Sequence, residues 1–201
     1  MVKNPLNQNL LPAKFLMTTP FLKQTYRDEI VPAMLKSHGF SNTHQVPRLD
    51  KIVVNSGFSA DIEKSSIDDL RQDIAAITGQ QPVITRARLS ISNFKVRQDM
   101  PLGIKVTLRG NNMYEFLHRL IAIALPNIRD FRGLPDKFDG QGNYTLGITD
   151  HTIFPEMHIE RQRTNVGMDI SFVTNSSLDK EGRDLMVLFG MPFRKPSAIA
   201  A

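Results

Sequence analysis

The sequence predicts an α+β fold, a mostly antiparallel or mixed sheet with helices packed on one face and the other face open. The chain has 201 residues, enough for one domain with a substantial core. Hydrophobic residues make up 41% and charged residues 22%, which is typical of a globular protein. Several segments alternate apolar and polar residues, the period of strands with one covered face. Others repeat apolar residues every three or four positions, as amphipathic helices do.

Four segments are predicted to be helical because each carries an apolar stripe and ends at a residue that stops a helix. Pro32 lies inside the first segment and is expected to kink it or to mark a restart. Serine or asparagine is predicted to cap the other three. The segments are residues 21–38 with Gly39 as the stop, then Ser65 or Ser66 to Gly79, Asn111 or Asn112 to Pro126, and about Leu178 to Leu188 with Ser176 or Ser177 as the cap.

Four segments are predicted to be strands, "RLDKIVVNSGF", "QPVITRAR", "GIKVTLRG" and "MDISFVT". Their inward residues are apolar, whereas the outward residues of the first and third are mainly polar. In those two strands the outward set is Lys51, Val53, Asn55, Gly57, Lys105, Thr107 and Arg109. A sheet face of this kind is a hydrogen-bonding platform that can rest on RNA.

The two ends of the chain are expected to lie outside the folded domain. Residues 1–20 contain three prolines and neither a secretory signal nor an organelle presequence, so we expect a flexible extension. Residues 21–195 are predicted to form the single domain, and residues 196–201 a frayed tail. Without a targeting segment or a long apolar run, the expected location is the cytoplasm.

Positive charge is concentrated in one part of the sequence. Residues 84–134 hold nine Lys or Arg and three acidic residues, a balance of +6, whereas the whole chain carries +5. Four of these cations lie in "TRARLSISNFKVRQDMPLG", residues 85–103, which has no clear helical or strand period. A localised basic patch is typical of a surface that binds a polyanion, most often nucleic acid.

Few residues suggest catalysis. The chain has no cysteine, so disulfides, thiolate metal sites and cysteine nucleophiles are excluded. "DGQGNY" lacks the lysine and the strand-to-helix setting of a phosphate-binding loop and is interpreted as a turn. Asp150, His151 and Glu156 are the nearest approach to an acid–base cluster, but such groupings in polar loops are mostly structural. No enzyme activity, catalytic residue, metal or cofactor is predicted.

Several blocks together resemble one family. "QVPRLDKIVVNSG", "AAITGQQPVITRAR", "FKVRQDMPLGIKVTLRG", "MYEFLHRLIAIALPNIRDFRGL", "FDGQGNYTLGITDHTIFPE" and "FGMPFRK" occur in this order. From about Tyr26 to Lys195 the chain resembles the bacterial-type large-subunit ribosomal protein number five, the universal 5S-rRNA-binding ribosomal protein family. The resemblance implies an α+β fold whose open sheet face docks on 5S rRNA.

The resemblance also implies which residues contact RNA. Lys105 is added by its place on the polar face beside Thr107. The rRNA-binding set is then Asn55, Gly57, Gln80, Thr85, Arg86, Arg88, Lys105, Thr107 and Arg109. The following loop is implied to reach the P-site tRNA through Ser90, Asn93, Lys95, Arg97 and Gln98. Leu89 stands where the family often has lysine, which makes this loop less basic.

The implied partners are 5S rRNA, P-site tRNA, neighbouring large-subunit rRNA and proteins of the central protuberance, and a protein of the small-subunit head across an intersubunit bridge. The implied role is that of a structural constituent of the large ribosomal subunit. Two alternatives stay open: an RNA-processing enzyme that uses Asp150, His151 and Glu156, and an RNA-binding regulator outside the ribosome.

Overall fold

Five strands, each antiparallel to its neighbours, form one sheet in the computed structural model, which describes residues 19–59, 61–157 and 166–194. In chain order they are β1 (Leu49–Gly57), β2 (Val83–Arg86), β3 (Pro101–Leu108), β4 (Tyr144–Ile148) and β5 (Met168–Thr174). Their order across the sheet is β2–β3–β1–β5–β4, so β1 is central and β2 and β4 form the edges. The predicted α+β class with an antiparallel sheet is confirmed.

Five α-helical segments accompany the sheet in the described residues. They are α1 (Phe21–Thr25), α2 (Val31–His38), α3 (Lys64–Thr78), α4 (Gly110–Arg119) and α5 (Asp179–Leu188). α1 and α2 belong to one continuous helical run, which is the first predicted helix. The five segments therefore correspond to the four predicted helices. None of these described helices is long and apolar enough to cross a membrane. The predicted extension, except residues 19 and 20, and the predicted tail lie outside the described residues, so the domain boundaries stay predictions.

Two π-helical turns each lie shortly before a proline. The turn Tyr26–Ile30 joins α1 to α2 and precedes Pro32, and the turn Leu120–Ala124 extends α4 and precedes Pro126. A proline has no N–H for the helical ladder, and its ring clashes with the carbonyl four residues earlier. A wider turn moves that carbonyl away from the proline ring, which explains why both π-helical turns lie just before a proline. Pro32 therefore perturbs its helix without ending it, whereas the second helix ends near Pro126.

The predicted side-chain caps are wrong in detail. Glu63, Arg109 and Leu178 occupy the N-cap positions of α3, α4 and α5, and none of these three described side chains makes a capping hydrogen bond. Ser176 nevertheless acts near the start of α5, where its hydroxyl oxygen accepts a hydrogen bond from the Leu178 N–H at 3.1 Å. The predicted ends at Gly79 and Gly39 are confirmed, because both have the left-handed conformation that ends helices.

One face of the sheet and the apolar stripes of the helices form a single core. Eight apolar inward residues of β1, β3 and β5 are at most 3% exposed, which confirms the predicted alternation. They are Ile52, Val54, Ile104, Val106, Leu108, Met168, Ile170 and Phe172. The predicted α3 stripe of Ile67, Leu70, Ile74 and Ile77 is also buried. The opposite face of the sheet therefore carries the remaining side chains of every strand.

Two glycines lie opposite each other at one end of β1 and β3, Gly57 and Gly103. A Cβ atom on Gly103 would lie 2.9 Å from the Ser56 carbonyl oxygen and 2.9 Å from the Thr85 hydroxyl oxygen. A Cβ atom on Gly57 would meet nothing within 4 Å, and the φ of Gly57 is outside the left-handed region. Of these two glycines, packing therefore requires only Gly103.

We expect Gly103→Ala to lower the free energy of unfolding by about 1–3 kcal/mol, because the strand must shift to relieve the clash with Ser56. Gly57→Ala is the matched control, and its free energy of unfolding should stay within about 0.5 kcal/mol of the original. Urea denaturation followed by circular dichroism measures both. Equal losses in the two variants would contradict the packing explanation.

Candidate nucleic-acid interface

The polar face predicted from alternation is present on β1 and β3. The strand register puts Asn55 opposite Lys105 and Val53 opposite Thr107. Lys105 is exposed, and Asn55 and Thr107 are half-buried. An ammonium group, an amide and a hydroxyl therefore share one flat surface, and together they can bind both phosphates and neutral polar groups.

Strand β2 extends this surface at one edge. Val83 lies opposite Lys105, and Thr85 lies opposite Gly103. Gln80 is exposed in the turn between α3 and β2, where its carbonyl oxygen accepts a hydrogen bond from the Thr78 hydroxyl at 3.1 Å. Gln80 thus lies in the turn that leads into β2.

Arg109 follows β3 directly and is held at the rim of the face by an acid. Its guanidinium donates to the Asp50 carboxylate at 3.2 Å. The two side chains are 58% and 44% exposed, so solvent screens this ion pair and it contributes little to stability. Arg109 can therefore exchange Asp50 for an external phosphate at a small energetic cost.

The basic loop between β2 and β3 is a hydrogen-bonded hairpin. At its base the Ala87 N–H donates to the Met100 carbonyl at 2.9 Å, and the Asp99 N–H donates to the Ala87 carbonyl at 3.0 Å. Near its tip Ile91 and Val96 exchange two backbone hydrogen bonds. The turn at the tip consists of the short 3-10 helix Ser92–Phe94. The loop thus has its own backbone order despite the lack of a sequence period.

The predicted cations of the loop differ in their surroundings. Arg86 ends β2 and donates to the Asp99 carbonyl at 3.1 Å, so it also supports the loop base. Arg88 lies beyond the strand, after a register shift between Thr85 and Arg86. The predicted strand "QPVITRAR" therefore ends two residues earlier than expected, at Arg86, and both arginine side chains are exposed.

The five loop residues predicted to bind tRNA are all exposed: Ser90, Asn93, Lys95, Arg97 and Gln98. The Ser90 hydroxyl oxygen already accepts a hydrogen bond from the Gln98 N–H at 2.9 Å. Lys95 has a φ of 53°, an uncommon conformation for a residue other than glycine. Phe94 is 72% exposed, so its ring does not anchor the loop to the core.

Strands β5 and β4 complete the open face, a part that the sequence prediction did not include. Asp169 lies opposite Asn55 and Gly147, and Ser171 lies opposite Val53 and Thr145. The Ser171 and Thr145 hydroxyl oxygens are 3.2 Å apart. The alternation of "MDISFVT" contained the necessary signal, because its polar residues oppose Met168, Ile170 and Phe172.

The suspected acid–base cluster has partners of three different kinds. The Asp150 carboxylate accepts a hydrogen bond from the Thr152 N–H, and Glu156 forms an ion pair with Arg119. His151 is buried, with Nδ1 2.9 Å from the Val166 carbonyl oxygen. These contacts explain the three residues as structural.

His151 also faces an acid on α3. Its Nε2 lies 3.8 Å from the Asp73 carboxylate. Burial raises the pKa of Asp73, and the nearby His151 opposes that rise. Among the described residues, no group of three or more His, Asp or Glu side chains is arranged to hold a metal ion.

Comparison with known proteins identifies the same family along the whole sheet. Residues 42–97 match the family described as ribosomal protein L5, and residues 101–193 match the ribosomal L5P family C-terminus. The first segment contains β1 and β2, and the second contains β3, β4 and β5. Because β1 lies between β3 and β5, the two matched segments build one sheet.

Individual relatives agree over most of their length. The chain is 51% identical over 176 residues to the large ribosomal subunit protein uL5 of Thermosipho africanus, covering 87% of this chain and 97% of the relative. The uL5 proteins of Thermotoga maritima and Synechococcus sp. are also 51% identical, over 87% and 86% of this chain and 96% and 98% of their own. The chain therefore belongs to the L5 family of ribosomal proteins, structural and non-enzymatic proteins of the large subunit of cytoplasmic ribosomes.

Proposed function

We propose that this protein binds 5S rRNA through the open face of its sheet and helps to hold that RNA in the central protuberance of the large subunit. The observation that carries the proposal is the register of β3 against β1. It places Lys105, Asn55 and Thr107 side by side on the face that the helices leave open. Membership of the L5 family supports the choice of a ribosomal RNA over other polyanions.

The chemistry of the face fits folded RNA. Arginine and lysine at its edge can neutralise phosphates, and amide and hydroxyl groups can bond to base edges and ribose 2′-hydroxyls. At Gly57 no side chain stands between the strand and an approaching RNA backbone. The proposed rRNA-binding residues are Asn55, Gly57, Gln80, Thr85, Arg86, Arg88, Lys105, Thr107 and Arg109.

The loop between β2 and β3 is proposed to contact the P-site tRNA. Its cations Arg88, Lys95 and Arg97 are exposed and make no ion pair among the described residues, so they are available to phosphates. The exposed ring of Phe94 offers an aromatic surface on which a base or ribose can stack. Ser90, Asn93 and Gln98 supply polar groups around these cations.

Further partners follow from the family rather than from a particular surface of this chain. They are neighbouring rRNA and proteins of the central protuberance, and a small-subunit head protein across an intersubunit bridge. Binding of purified protein to 5S rRNA, with an unrelated folded RNA of the same length as competitor, tests the central proposal. Equal binding to both RNAs would reject 5S rRNA as the specific partner.

Replacing Arg86 and Arg88 by alanine should weaken 5S rRNA binding and flatten its salt dependence. Each lost phosphate contact should reduce the slope of log K against log salt by about one unit. The matched control replaces Lys36 and Lys180, exposed lysines of α2 and α5, and should keep the original slope. An unchanged slope in the arginine variant would remove both arginines from the interface.

Thr107→Val should weaken 5S rRNA binding by about 1–3 kcal/mol, because a polar group of the RNA would lose its hydrogen-bond partner. Thr107→Ser keeps the hydroxyl and is the matched control, with binding expected near that of the original protein. Titration of labelled 5S rRNA at one fixed salt concentration measures both variants. Equal affinities for valine and serine would place Thr107 outside the contact.

Replacing Lys95 and Arg97 by alanine should weaken P-site tRNA binding to ribosomes that contain the variant. The expected loss is about 0.2–1 kcal/mol for each contact, since both side chains are exposed and screened. The affinity of the free protein for 5S rRNA should change less than in the Arg86 and Arg88 variant. Filter binding measures the affinity of tRNA for ribosomes that carry the loop variant and for ribosomes that carry the Lys36 and Lys180 control. Equal tRNA affinities would contradict the loop contact.

A further inference from the structure

A small groove lies between the start of α1 and the outer side of α4, and we call it the α1–α4 groove. It has a volume of about 180 Å³. The residues that line it are Pro20, Phe21, Tyr114, Glu115, His118 and Arg119. A cavity of about 150 Å³ can hold a benzene ring. The α1–α4 groove is therefore large enough for one aromatic or branched apolar side chain.

One wall of the α1–α4 groove is an exposed aromatic ring. Phe21 is 65% exposed, and its ring centroid lies 5.8 Å from that of His118. One turn away, Lys23 Nζ donates a hydrogen bond to Asn111 Oδ1 at 2.7 Å, which holds α1 against α4. Because the ring is already held in place, a partner that covers it does not have to order it first. Most of the Phe21 ring is thus apolar surface that a partner can cover.

The α1–α4 groove also carries an acid without a cation. Glu115 is exposed and forms no ion pair with any other described residue. Arg119, in contrast, is engaged by Glu156. An occupant that places a positive charge beside an apolar side chain therefore complements this groove.

Residues 14–17 of the same chain have this chemistry. They read "KFLM", a lysine followed directly by three apolar residues. Residues 1–20 contain two lysines and no acid, so no negative charge of their own competes for Lys14. Burying large apolar side chains such as Phe15 is favourable. The segment thus supplies a cation for Glu115 and a ring for Phe21.

The α1–α4 groove lies within reach of this segment. Phe15 precedes Pro20, a residue of the groove, by five positions. An extended chain spans at most about 3.6 Å per residue, so Phe15 stays within about 18 Å of Pro20. A short tether gives an effective concentration on the order of millimolar, and even a weak contact is then occupied.

This segment is not shared with the relatives. Their alignments cover 176 of the 201 residues, although they span 96–97% of the Thermosipho africanus and Thermotoga maritima proteins. Because the resemblance begins at about Tyr26, most of the remaining residues precede the domain. A role for residues 14–17 must therefore come from this chain's own residues.

We propose that residues 14–17 dock in the α1–α4 groove, with Phe15 against the Phe21 ring and Lys14 beside Glu115. This assigns the segment to the folded domain instead of to the predicted extension. The groove belongs to the helical layer, so the docked segment leaves the polar face of the sheet uncovered. The inference is therefore independent of the proposed binding of RNA.

A single tryptophan tests the docking, because the chain contains none. In the full chain, Phe15→Trp should emit at shorter wavelength and be quenched less by iodide than Leu6→Trp. Leu6 is the matched control, since it is an apolar residue of the same extension outside the docking segment. Equal emission and equal quenching in the two variants would overturn the proposal.

Removing the wall of the α1–α4 groove should release the segment. Phe21→Ala added to Phe15→Trp should return the emission to the wavelength of Leu6→Trp. Phe94→Ala is the matched control, because it removes a phenylalanine that is 72% exposed at the hairpin tip, and it should keep the shorter wavelength. An emission that stays shifted with Phe21→Ala, or that is lost equally with Phe94→Ala, would overturn the assignment to this groove.

Glu115→Lys provides a second test at an exposed position. It replaces the attraction for Lys14 by repulsion, so iodide should quench the tryptophan of Phe15→Trp more strongly than before. Circular dichroism verifies that each variant is folded. Unchanged quenching would remove Lys14 and Glu115 from the contact and overturn the proposal as stated.

Two other occupants give different results. If a second copy of the chain covers the α1–α4 groove, the emission of Phe15→Trp should shift with protein concentration and size-exclusion chromatography should show a dimer. If RNA covers the segment, the emission should shift only after 5S rRNA is added. Either result would overturn docking within one chain, which predicts a shift that is independent of concentration and present without RNA.

Discussion

The register of β1 against β3 and β5 is the constraint on which the rest of the structure depends. Side chains alternate along a strand, so a slip by one residue would turn Lys51 and Asn55 toward the core and expose Ile52 and Val54. Burying the Lys51 amine and the Asn55 amide without hydrogen-bond partners would cost more free energy than the slipped strand pairing would supply. The hydrogen bonds that close the core therefore also assemble the polar face, and neither can change without the other.

The sequence predicted those parts of the molecule that depend on local periodicity. Alternation identified the outward residues Asn55, Lys105 and Thr107, because period two is imposed within each strand. It did not predict that β1 would lie between β3 and β5, since pairing joins segments far apart in the chain. Asp169 was missed for this reason: its position on the face becomes visible only when β5 is placed beside Asn55.

Proximity in sequence was misleading in two places. Asp150, His151 and Glu156 are close in sequence, but their partners differ. Asp150 accepts from a backbone N–H, and Glu156 pairs with an arginine of α4. His151 lies beside a backbone carbonyl and faces an acid of α3. Arg86 and Arg88 are two residues apart, but the register shift and the hairpin base give only Arg86 a bond to Asp99. In both cases contacts made by the folded chain decide what each side chain can do.

The central position of β1 also determines when the protein can complete its proposed RNA-binding surface. β1 is synthesised early, yet one of its two partner strands is β5, which ends at Thr174. Contacts between such distant segments form slowly because a long loop must close first. A nascent chain that has emerged only as far as β3 still lacks one side of β1, so its amide groups there have no strand to bind. Completion of the polar sheet face is thus coupled to near-completion of synthesis, so a partial chain does not yet present the whole of the proposed RNA-binding surface.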